Sequence, residues 1–66
     1  MLIEGIIINQ AQRKVFHYSS TETREIKLGK KDPFAEGLEY LQEYLSSSGF
    51  KILQVVDIHK FVLVKE

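Results

Sequence analysis

Hydrophobic positions in this chain change period once and then change back. From Leu2 to Asn9 isoleucine dominates, with Ile3, Ile6, Ile7 and Ile8 in eight residues. The polar turn Asn9-Gln10-Ala11-Gln12 leads into Lys14-Val15-Phe16-His17-Tyr18, and together they read as a hairpin. Ser19-Ser20-Thr21-Glu22 is turn-like. Arg24-Glu25-Ile26-Lys27-Leu28 then alternates polar and apolar as a third strand. From Phe34 the spacing becomes four, three and four through Leu38, Leu41 and Leu45, one stripe at the helical period. Glu36, Glu39 and Glu43 lie off that stripe.

Both ends of the helix are signalled. Asp32 is a favoured N-cap, and Pro33 suits the first helical position and pushes Asp32 toward extended backbone. At the other end Ser46-Ser47-Ser48 is poor helix interior, and Gly49 can adopt the left-handed conformation that stops a helix. The expected helix covers about 34–47. Phe50 to Val56 and Phe61 to Val64 return to strand, joined by Asp57-Ile58-His59-Lys60, a short loop without Asn-Gly or Asp-Gly. The order β-β-β-α-β-β predicts an α+β fold, an antiparallel sheet of about five strands with one helix on one face. Sixty-six residues allow one domain at most, spanning 1–66.

One helix covers one sheet face, so a half-solvated sheet should alternate apolar and polar residues. Three of these strands do not. One parity set (Ile6, Ile8, Ile52, Val56, Phe61, Leu63) can meet the helix stripe. The other (Ile3, Ile7, Leu53, Val55, Val62, Val64) has no helix left to meet, and the sequence does not decide which set faces the helix. Six aliphatic residues hold roughly 9–18 kcal/mol of burial as an upper bound. A domain of this size has a total stability of about 3–10 kcal/mol. Two arrangements resolve the conflict. A second chain covers the face, most simply in a homodimer with sheets packed face to face, and Ile7, Leu53, Val55, Val62 and Val64 are the candidate interface. Alternatively, a strongly curled sheet folds its own N-terminal hairpin across that face.

Composition narrows the chemistry. Cysteine is absent, which excludes disulfides, thiolate metal sites, iron–sulfur clusters and thiol catalysis and fits a reducing compartment. The segment Met1-Leu2-Ile3-Glu4-Gly5 has no basic stretch, so no signal peptide is expected. No apolar run approaches the roughly 18 residues of a spanning helix. The expected location is the cytoplasm, with no membrane partner.

Nine bases balance nine acids, but unevenly. Six bases and four acids lie up to Asp32, and three bases and five acids lie after it, so the halves carry +2 and −2. The basic residues Arg13, Lys14, Arg24, Lys27, Lys30 and Lys31, interleaved with Phe16 and Tyr18, form a candidate nucleic-acid contact, with cations for phosphates and rings for bases. Glu22 and Glu25 dilute it.

His17 and His59 have no third ligand at a recognisable spacing and read as surface residues of a strand and a turn. The serine clusters lack a nucleophile motif. Glu36, Glu39 and Glu43 read as a solvated helix face. Gly37, inside the helix at a cost of about 1 kcal/mol relative to alanine, can mark a close approach of another element. The sequence therefore predicts no enzyme and no cofactor. It predicts a small interaction or regulatory module acting through a protein partner or as a homodimer, with nucleic-acid binding as the alternative.

Overall fold

The computed structural model describes residues 1–66. Its elements are β1 (Leu2–Asn9), β2 (Lys14–Tyr18), β3 (Thr23–Lys27), α1 (Pro33–Ser48), β4 (Lys51–Asp57) and β5 (Lys60–Lys65). The five strands form one antiparallel sheet in the order β3-β2-β1-β5-β4, with the helix on one face. The α+β order read from the sequence is the order found.

Both helix ends follow their local chemistry. The Asp32 side chain accepts a hydrogen bond from the Phe34 amide at 3.3 Å, and Pro33 occupies the first turn. Gly49 terminates the helix with φ at 83°, a value that only glycine takes without strain. At the first hairpin, Asn9 Oδ1 accepts from the Gln12 amide at 2.9 Å, and Arg13 closes the turn in the left-handed region at φ 53°.

The core lies between the helix and the middle of the sheet: Ile6, Ile8, Val15, Leu41, Phe50, Phe61 and Leu63, with Phe34, Leu38, Tyr40, Tyr44 and Leu45 packed against it. The grouping by parity holds for β1 and β5, and the structure decides the facing that the sequence leaves open: Ile6, Ile8, Phe61 and Leu63 meet the helix. The helix lies over β1 and β2. Gly37 is buried there, and a Cβ added to it would stand 2.7 Å from Ile8 Cγ2. The missing side chain lets the helix approach β1 and places its axis away from β4.

On β4 the alternation fails. Its ladder with β5 runs Lys51↔Val64, Ile52↔Leu63, Gln54↔Val62, Val55↔Phe61 and Asp57↔Lys60, with two irregularities that leave Leu53 and Val56 without partners. Each bulge advances the strand by one residue and shifts the parity after it. Val55, expected on the face away from the helix, falls opposite Phe61 on the helix side. Val56, expected under the helix, drops out of the ladder. The N-terminal hairpin does not cross the outer face, because β1 is the central strand and β2 lies beside it.

Candidate functional site

Two features stand out from the packed core, an uncovered strand and a buried polar cluster. The strand is β4. All seven of its residues are exposed, and the fractional exposures are 44% at Ile52, 57% at Leu53, 56% at Val55, 57% at Val56 and 64% at the following Ile58. The helix sits over the other half of the sheet, so even the helix-side residues Ile52 and Val55 are open. β4 is also an edge, with one flank unpaired.

Of the candidate interface residues, Ile7, Val62 and Val64 lie on the outer face, half-buried. There Ile7 pairs with Phe16, and Ile3 with Val64. Leu53 is at a bulge and Val55 has moved to the helix side. The candidate surface therefore wraps the β4 edge rather than tiling one face.

The buried cluster overturns the surface reading of His17, which is 1% exposed and the one charged or polar side chain within the core. His17 Nε2 lies 2.6 Å from Glu4 Oε1, and its Nδ1 lies 2.8 Å from the Tyr40 hydroxyl and 3.2 Å from Arg24 Nη2. A guanidinium can only donate, so Nδ1 accepts and the ring proton sits on Nε2, donating to Glu4. The Tyr44 hydroxyl donates to the same Glu4 oxygen at 2.5 Å. Tyr44 also packs edge-on against the imidazole, centroids 4.4 Å apart. No buried polar atom of this cluster lacks a partner. It links β1, β2, β3 and the helix and fixes the helix over that half of the sheet.

These contacts set the titration behaviour. Burial alone would raise the Glu4 carboxyl, but hydrogen bonds from Tyr44 and His17, with nearby positive charge, outweigh it and hold the group below 4.5. Burial and the bond to Glu4 push the Tyr44 phenol from 10.0 up to about 12. The Glu4 contribution to stability is present above about pH 4.5 and is lost as pH falls through the depressed folded value. The Tyr44 contribution has the opposite sign, present below pH 10 and lost between pH 10 and about 12. Urea midpoints measured across pH should show both limbs. Glu4→Gln is expected to flatten the acid limb and Tyr44→Phe the alkaline one.

The candidate nucleic-acid residues are not gathered into one patch. Lys14, Phe16, Tyr18 and Lys27 share the outer face, the two rings stacked with centroids 6.5 Å apart. Lys14 Nζ is paired with Glu25 at 2.9 Å. Arg24 lies on the helix side with His17. Arg13 donates to the Lys31 carbonyl at 3.0 Å and ties the first hairpin to the segment entering the helix. Lys30 and Lys31 are exposed in that segment. His59 sits in the β4–β5 turn, edge-on to Phe34, beside an open depression of about 310 Å³ lined by Ile7, Ile8, Asn9, Gln10, His59 and Lys60.

Sequence reasoning missed the cluster although the signal was present. Glu4 shares parity with Ile6 and Ile8, His17 shares parity with Val15, and Tyr40 and Tyr44 stand one helical turn apart. A carboxylate and an imidazole at core parity need buried partners, and two tyrosines on the facing helix supply them.

Fold and surface together define a one-helix α+β protein with a sheet edge left open. Comparison with protein-family models, with curated proteins and with solved structures finds no match. No helix is long and apolar enough to cross a membrane.

Proposed function

We propose that this chain is a small non-enzymatic interaction module that acts through protein contact and works as a homodimer in the cytoplasm. The observation that carries the reading is the uncovered aliphatic surface of β4 and the β4–β5 turn, five large residues each 44–64% exposed. Monomers rarely leave such residues contiguous, and a patch of this kind marks an interaction surface. Covering the exposed half of these side chains is worth about 4–8 kcal/mol per chain. Two chains together then offset an association cost of about 4–15 kcal/mol. The cysteine-free composition supports the cytoplasmic placement.

Sedimentation equilibrium should show a species of twice 7.7 kDa at about 100 μM, in keeping with a small interface. Leu53→Lys is expected to return it to monomer while changing the stability of the isolated chain by less than about 0.5 kcal/mol. Val62→Lys, on the outer face, separates the two geometries: the dimer persists where the β4 edge carries it and dissociates where sheets pack face to face. A wild-type chain that stays monomeric over this range removes the reading.

A second reading has one observation behind it, the stacked Phe16–Tyr18 pair on the open outer face flanked by Lys14 and Lys27. Rings beside cations suit single-stranded nucleic acid. Counterion release then predicts binding that weakens steeply with salt, and no retention of mixed-sequence probes at about 50 mM salt ends it.

A further inference from the structure

The two edges of the sheet are built differently. β3 presents Thr23, Arg24, Glu25 and Lys27, all exposed, around the half-buried Ile26. Charges spread along an edge strand in this way discourage strand addition. β4 carries charges only at its ends, Lys51 and Asp57, with Ile52, Leu53, Gln54, Val55 and Val56 between them and every residue exposed. One edge is guarded and the other is open.

The open edge is self-complementary. Reversed against a second copy and centred on Gln54, Lys51 falls opposite Asp57, Ile52 opposite Val56, Leu53 opposite Val55, and Gln54 opposite itself. Opposite charges meet at both ends, and aliphatic meets aliphatic at each position flanking the centre. Sliding the partner by one residue sets Lys51 against Val56 or Ile58 and loses both ion pairs. A parallel pairing in register sets lysine beside lysine, which is unfavourable.

We infer that β4 pairs edge to edge with β4 of a second copy, antiparallel about a two-fold axis through Gln54, making one sheet of two joined five-stranded halves. This rests on the self-association reading above and fixes its geometry. The bulges at Leu53 and Val56 add right-handed twist to the strand, and the two-fold axis gives both copies the same twist. The surface is isologous, so assembly closes at two chains. β3, the remaining edge of each half, carries the charges that stop further growth.

The absence of cysteine makes the test direct, since an introduced thiol is the only one in the chain. Under mild oxidation at about 100 μM, a concentration suited to a small interface, Gln54→Cys is expected to form a disulfide-linked dimer. Ile7→Cys, at the centre of the outer face, should stay unlinked. A chain that sediments as a dimer yet leaves Gln54→Cys unlinked overturns the edge register while the self-association reading stands. A chain that is monomeric throughout overturns both.

Charge reversal supplies an independent check. Lys51→Asp sets carboxylate against carboxylate at both ends and should weaken the dimer about tenfold. Adding Asp57→Lys to the same chain should restore affinity to within about twofold. A double variant as weak as the single one overturns the register.

Discussion

Replacing Glu4 with alanine is expected to cost the fold about 2–4 kcal/mol, although Glu4 belongs to no apolar core and lies in the third residue pair from the end of the β1–β5 ladder. The reason is what the change leaves behind. Glu4 Oε1 accepts from both His17 Nε2 and the Tyr44 hydroxyl. Each buried donor left without an acceptor costs about 1–3 kcal/mol. The His17 donor, at 1% exposure, has no route to water; the Tyr44 hydroxyl, in a half-buried side chain, recovers part of its loss. Against a total stability of about 3–10 kcal/mol, such a change leaves a measurable unfolded population. The mechanism predicts its own control. In a His17→Leu background the main orphaned donor is gone, so Glu4→Ala should cost only about 1 kcal/mol, a coupling that a double-mutant cycle by urea denaturation reads directly. Additive losses would show that the cluster is not a unit.

Gly37→Ala should also destabilise, by about 1–3 kcal/mol, where helix propensity alone predicts a gain of about 1 kcal/mol. The added Cβ would stand 2.7–2.8 Å from three atoms of Ile8. Ile8 is itself buried on the central strand, and the His17 cluster prevents the helix from lifting away. Crowding of this kind is relieved only by removing what is crowded. Ile8→Ala alone costs about 2–5 kcal/mol through its cavity. The double variant, in which the new methyl enters that cavity, should lose about 1–2 kcal/mol less than the sum of the two. Thermal melts of the four proteins settle the sign. A stabilised Gly37→Ala would mean that the close approach is absent.

The features behind the Glu4 and Gly37 effects differ in how legible they are in the sequence. The helix could be read because Asp32, Pro33 and Gly49 act within a turn of their own positions, and because the stripe from Phe34 to Leu45 needs no knowledge of its partner. Strand identity and the parity of β1 and β5 were legible for the same local reason. The parity of β4 was not, because Lys51–Asp57 contains no glycine or other mark of a bulge, and a bulge reassigns every residue after it. Val55 moved to the helix side and Val56 left the ladder on that account. The covering of the sheet is only partly legible in the sequence. One helix does pack on one face, but its position over β1 and β2 depends on Gly37, Ile8 and the His17 cluster, all long-range contacts. The consequence is an open strand β4 beside the open outer face. His17 reads as a surface residue when only metal-ligand or acid–base partners are sought for it; its parity with Val15 is the better guide.

The strand order has a consequence for how the chain comes off the ribosome. β1 is made first and is the central strand, and its second neighbour is β5, with Leu2 opposite Lys65. The meander β1-β2-β3 can form early, but one flank of β1 then stays open until the last strand emerges. Ile6 and Ile8 cannot be enclosed before that, since Phe61 and Leu63 supply their other wall. Pairings of such long sequence separation slow folding by orders of magnitude relative to local ones. For that interval the nascent chain exposes an isoleucine-rich strand edge, the kind of surface that chaperones protect and that aggregates when they do not.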